Sequence, residues 1–273
     1  MVFVLAAAAA GFFLWRAKQR PAPLPVPVVQ PKAPAPTPPP PPPVTPPVPA
    51  IAHPLPPEPS AGELPDLDGS DSFFQRALTD LLGKKSVASF LMLDGFARRL
   101  VATVNNLDSD TAASQLWPVT RTPGAFEVAG GPADVTVATA NAARYDAFVR
   151  VVDAVDTARV VALYRRAYPL LQQAYEDLGA PGKYFNDRVV AVIDHLLETP
   201  VVNEPLRVKR AGSSDSDAPL AGTGLYLFVD STLEARSTGQ KILLRMGIAN
   251  AARLKVKLQE IRSRIARGPG APR

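Results

Sequence analysis

ARVVALYRRAYPLLQQAYEDLG, residues 158–179, decides the fold class. Its apolar and aromatic residues recur every three or four positions, the period of a helix with one buried face. Asp156 stands where an N-cap belongs, and Gly179 stands where such a helix stops. Pro169 falls inside the run and predicts a kink, because it removes one backbone bond and clashes with the preceding turn. On the helical wheel Tyr164, Tyr168 and Tyr175 fall within about 40°, on a stripe that also holds Val160, Leu171 and Leu178. Phenols on such a stripe usually bury the ring and lead the hydroxyl to the rim. The sharper alternative is an aromatic strip, opened at Pro169, that stacks on a glycan or a proline-rich peptide, including the chain's own. Tyr164, Tyr168 and Tyr175, with Arg188 nearby on the next helix, are therefore the candidate partner surface.

Outward from this helix the pattern stays helical. Ser72-Phe73-Phe74-Gln75 fits a capping box ahead of a stripe that ends at Gly83. A second helix runs from Ser86 to about Val104 with Gly95 as a break, and residues 107–123 read as loop. Phe126–Val128 and Val135–Val137 around Gly130-Gly131 predict a small hairpin, and 206–210 with 225–229 a second strand pair. Helices follow over 141–155, 185–198 and 249–266, with a shorter one through Leu243 and Leu244. The fold class is mainly α, a multi-helix domain over 66–266 with one or two small β-hairpins and a disordered tail at 267–273. GSSDSDAP, 212–219, reads as a surface excursion between two strands.

Composition divides the rest. The chain has 273 residues, 31 prolines, no cysteine and a net charge of +5. Of those prolines, 21 lie between positions 21 and 65, a tract that forms neither helix nor sheet and reads as a disordered, polyproline II spacer. His53 lies in it and is expected to be solvated. Before the tract, Met1–Trp15 is a continuous apolar run followed by Arg16, Lys18 and Arg20. Fifteen residues are short for a span of about 20. No basic stretch precedes the run and no cleavage site follows it, which favours an uncleaved inner-membrane anchor over 1–20. From residue 235 onward ten basic residues face Glu260 alone, so the basic character sits at the ends.

Little of this sequence carries recognisable chemistry. Cysteine-ligated zinc and thiolate catalysis are excluded. The nucleotide-binding and serine-hydrolase motifs are missing, and two histidines do not make the usual histidine-rich metal site. No cofactor is implied. Asp187 and Asp194 share a helix at a spacing of two turns, which a solvated face also produces. His195 lies at the edge of a buried face and reads as a structural hydrogen-bonder. In the last helix Leu254, Leu258, Ile261 and Ile265 form a narrow stripe bordered by Arg253, Lys255, Lys257, Arg262 and Arg264, as when cations cover the edge of a docked helix. Without interleaved aromatics it is a poor nucleic-acid binder.

Six stretches appear together in order: LVATVNNL (100–107), NAARYDAFV (141–149), ALYRRAYPLLQQAYEDLG (162–179), YFNDRVVAVIDHLLETP (184–200), STGQKILLRMG (237–247) and NAARLKVKLQEIR (250–262). The chain resembles, over about 64–264, the bacterial family catalogued as domain of unknown function 3014. The resemblance implies a single-span envelope protein with a proline-rich spacer and one domain, the domain on the periplasmic side, and a natural start slightly upstream of Met1. It brings no activity or catalytic residue. The expectation is a binding or scaffolding domain, leaning away from an enzyme, with an unknown protein or cell-wall partner. The alternatives are a carboxylate-dependent envelope hydrolase and a cytoplasm-facing anchor whose basic terminal helix binds lipid or nucleic acid.

Overall fold

The computed structural model describes residues 50–56, 62–111, 113–212 and 225–266, all within one compact unit. The anchor at 1–20, the spacer up to 49, GSSDSDAP beyond Gly212 and the tail at 267–273 lie outside the described residues. No helix among the described residues is long and apolar enough to cross a membrane.

The fold is mainly helical with two small antiparallel hairpins. In chain order it runs α1 (Asp71–Leu82), α2 (Lys84–Phe90), α3 (Phe96–Asn106), β1 (Val128–Ala129), β2 (Thr136–Val137), α4 (Ala140–Ala154), α5 (Thr157–Asp177) and α6 (Phe185–Leu197). β3 (Val208–Arg210), β4 (Tyr226–Phe228), α7 (Ser231–Glu234), α8 (Thr238–Arg245) and α9 (Ile248–Ile265) complete it. The hairpins β1–β2 and β3–β4 are joined by an antiparallel bridge between Thr136 and Arg207.

Local chemistry sets most boundaries. The Asp156 carboxylate accepts the amides of Ala158 and Arg159 and caps α5, and those amides hold it below its ordinary pKa. The capping box expected at Ser72 does not form. Helix α1 starts at Asp71, and the Ser70 hydroxyl donates to the Leu67 carbonyl. Asp71 instead accepts the amides of Gly95 and Phe96, so a carboxylate on one helix caps another, α3. Gly95, at φ 60°, makes the turn that separates α2 from α3.

Helix α5 continues through Pro169, which faces outward. Its buried side holds Val161, Ala167, Leu170, Leu171, Ala174 and Tyr175. Leu178, assigned to that stripe from the sequence, is 47% exposed because the helix ends before it. The largest cluster lies between α1, α3, α5 and the start of α6, with Phe74, Phe96, Leu171 and Phe185 among its members. Helix α9 closes the other side against α4, α5 and α6.

Candidate functional site

Two places bring polar and apolar groups together in ways the separate helices do not foretell. The first is the junction of α5, α6 and α9. Tyr175 is buried, its ring 5.5 Å from that of Phe185. Tyr164 and Tyr168 meet edge to face at 5.9 Å with their hydroxyls directed into one network. The Tyr164 hydroxyl donates to Asn186 Oδ1 at 3.0 Å, and the Tyr168 hydroxyl donates to Gln172 Oε1 at 2.9 Å. Burial raises the pKa of both phenols, so both stay protonated donors. Arg188 faces a different contact. It forks onto both oxygens of Asp108, just beyond the end of α3, at 2.7 and 2.6 Å, and onto Asn105 in the last turn of α3, and its guanidinium holds the Asp108 carboxyl below its ordinary pKa. The structure thus gathers Tyr164 and Tyr168 at a rim, places Tyr175 beneath it, and uses Arg188 as a clasp between α3 and α6.

At that rim lies the end of the proline tract. Asp187 accepts the amides of Ala52 and His53, at 3.0 and 2.7 Å. Asn186, 1% exposed, donates one amide hydrogen to the His53 carbonyl at 2.6 Å and the other to the Ile265 carbonyl at 3.0 Å. Leu55 packs on the cluster of Val161, Val190, Ile193 and Ile265, which Tyr164 also borders. His53 is accordingly not solvated: it is half-buried, with Nδ1 enclosed. Nor are Asp187 and Asp194 a free acidic face, since Asp194 is paired with Arg262. Charge alone did not distinguish an acid facing water from one facing a backbone amide.

Two further cations of α9 are engaged in the same way as Arg262, while Arg253 and Arg264 are exposed. Lys257 donates to the Val155 carbonyl and to Thr157, and Lys255 to the Thr199 carbonyl. His195 Nε2 hydrogen-bonds Ser237 Oγ, the N-cap of α8, at 2.9 Å. No grouping of His, Asp or Glu among the described residues is arranged to hold a metal ion.

The second place is a cleft of about 660 Å³. Its walls are β2, the start of α4, the loop 199–206 and the turn from α8 into α9. The surface is mostly aliphatic: Val137, Ala142, Val201, Val202, Leu243 and Ile248. Val201 and Ile248, on the walls, are 66% and 50% exposed. The turn is made by Gly247 at φ 83°, where a Cβ would stand 3.0 Å from that of Ala142. Thr139, Asn203 and Glu204 are exposed at its edge, while the less exposed polar groups in the wall are bonded within the protein. Asn250 donates to Asp146 and to the Ala142 carbonyl, while Arg245 stacks 4.7 Å over Phe228 and donates to the Tyr226 carbonyl. Burial lowers the pKa of both Arg245 and Lys255. The cleft escaped sequence reasoning because its lining comes from four separate stretches. Its only local trace is the apolar, proline-flanked loop Pro200–Pro205 between helix and strand.

A profile of the family described as "Protein of unknown function (DUF3014)" matches residues 96–262, more than half of the chain. The chain belongs to the DUF3014 family. No curated protein and no solved structure matches it. The DUF3014 match runs from the first residue of α3 into α9, and so takes in every element that lines the cleft. It leaves out α1, α2 and the segment 50–56 that docks beside Asn186.

Proposed function

We propose that this DUF3014 protein is a non-enzymatic binding module of the bacterial envelope, tethered to the inner membrane by residues 1–20 and held in the periplasm on the part of the proline-rich spacer that precedes the docked segment 50–56. The carrying observation is the cleft between β2, α4 and the α8–α9 turn. It is open and mostly aliphatic, with two exposed hydrophobic side chains on its walls and with Asn250, Arg245 and Lys255 already bonded to the protein. Sites of this size and character take apolar surface, with few polar groups to fix orientation. Thr139, Asn203 and Glu204 leave polar groups at its edge, but aliphatic surface dominates the lining, so the occupant that suits it is an apolar segment of a protein partner.

Two measurements test this. Alkaline phosphatase fused after residue 66 should be active in intact cells, and an inactive fusion sinks the periplasmic placement. A photo-crosslinking residue at Val201 or Ile248 should yield adducts in cells that the same residue at Val256, exposed on α9, does not. Equal or absent labelling from the cleft positions removes the binding role assigned to it.

A further inference from the structure

The contact between the tract and the helical body is made almost wholly through the tract's main chain. The two oxygens of Asp187 take two successive amides, and Asn186 gives a hydrogen to the carbonyl that follows. Two positions after His53, Leu55 enters an apolar seat between prolines 54 and 56. Backbone bonds plus one seated side chain are the way folded domains hold extended peptides in general. Asn186 is pre-set for this, because its oxygen is fixed by Tyr164 and its second hydrogen by Ile265.

The requirements are selective within a proline-rich chain. Pro-Leu-Pro occurs twice between 21 and 65, at 23–25 and at 54–56. Before the first stand Pro21 and Ala22, so one of the two amides that Asp187 takes is missing there. Before the second stand Ala52 and His53, and both amides are used.

We propose that the notch at the start of α6 is a peptide-binding site for segments with two free amides followed by Pro-Leu-Pro, filled in the resting protein by residues 52–56 of the same chain and open to that sequence in trans when its own segment leaves. It stands apart from the cleft and from membrane topology, since purified protein suffices to test it.

The test uses the full chain. In the double variant Ala52→Pro/His53→Pro both donors are gone while Asn186 and Asp187 remain. A synthetic peptide of residues 50–58 (AIAHPLPPE), labelled at its C-terminus, should bind this variant saturably by fluorescence anisotropy. Binding to the wild type, where the attached segment competes, should be at least tenfold weaker. Adding Asp187→Ala should weaken binding to the double variant at least tenfold. A folded double variant that leaves the peptide free overturns the proposal, as does binding indifferent to Asp187→Ala. If the double variant does not fold, the wild type decides. Peptide at about 1 mM, the scale of a short tether's effective concentration, should raise deuterium uptake in the protein's own 50–56 fragment, and unchanged uptake overturns exchange.

Discussion

At the scale of single residues, the polar groups that matter are those whose partner lies far along the chain. Arg188 is the clearest. It is 83 residues from Asn105 and 80 from Asp108, and it satisfies both with four hydrogen bonds. The pair keeps about a quarter of each side chain exposed (23% and 28%), so solvent screens part of its worth. Arg188→Met should therefore cost about 1–3 kcal/mol, less than the loss of one partner from a dry ion pair, read from the urea midpoint at pH 7. The pH dependence follows from the sign of the Asp108 shift. A carboxyl held below its ordinary pKa stabilises the fold fully above that ordinary value, about 3.9, and the stabilisation drains away as pH falls through the lowered native value. The difference in stability between wild type and Arg188→Met should thus shrink as pH drops below about 4. A gap that stays constant down to pH 2 would remove Asp108 from the explanation. From the sequence Arg188 could be singled out for its place beside the tyrosine helix, but not for its partner, because no local pattern marks a contact 80 residues away.

At the scale of elements, the helices were legible wherever a local signal sets them. Asp156 caps α5 as its position predicts, and the hairpin at Gly130-Gly131 forms between β1 and β2. What was not legible is where one element presses on another. Asp71 caps a helix other than its own, Leu178 falls outside the buried face, and Gly239 sits in the first turn of α8 without a local reason. Its reason is tertiary. The Gly239 amide donates to the Leu107 carbonyl at 2.8 Å, and a Cβ there would lie 2.8 Å from that same oxygen and 2.5 Å from Leu196 Cδ2. The leucine tip can turn away, but the carbonyl is held by the bond it accepts. Gly239→Ala should then cost about 1–3 kcal/mol by forcing α8 off the Leu107 carbonyl at the end of α3, although alanine is the better helix former. Gly131→Ala, with nothing within 4 Å of the new Cβ, is the matched control and should leave the urea midpoint within about 0.5 kcal/mol of wild type. Equal effects from the two would mean that close approach is not what α8 requires.

At the scale of the whole molecule, the division into apolar run, proline tract and helical body came from composition, but the meeting of the body's two ends did not. Periodicity predicts which face of α9 is buried and is silent on where its last turn lands. That turn lands beside the end of the proline tract: one nitrogen, Asn186 Nδ2, bonds both the His53 and the Ile265 carbonyls, at 2.6 and 3.0 Å. Two acceptors of one amide group lie within about 6 Å of each other, and residue 50 stands up to ~10 Å upstream of His53, so a linker of about ten residues, reaching ~33 Å, joins residue 266 to residue 50 with slack. A second opening exists at β3–β4, where the amide of Ala211 donates to the Leu225 carbonyl at 2.8 Å and closes the base of the connection. A circular permutant that joins 266 to 50 and begins within 213–224 keeps every pairing described between helices, and a cut in a connection of polar and small residues between two strands is of the kind domains tolerate best. It should fold with the helical circular dichroism of the parent and unfold in one cooperative urea transition. Its 50–56 fragment should resist deuterium exchange as in the parent, because the segment is now attached at both sides of Asn186. A permutant that folds but exchanges that fragment freely would show that the segment is held by its upstream chain and not by the notch. One without a cooperative transition would show that the ends do not meet as Asn186 requires.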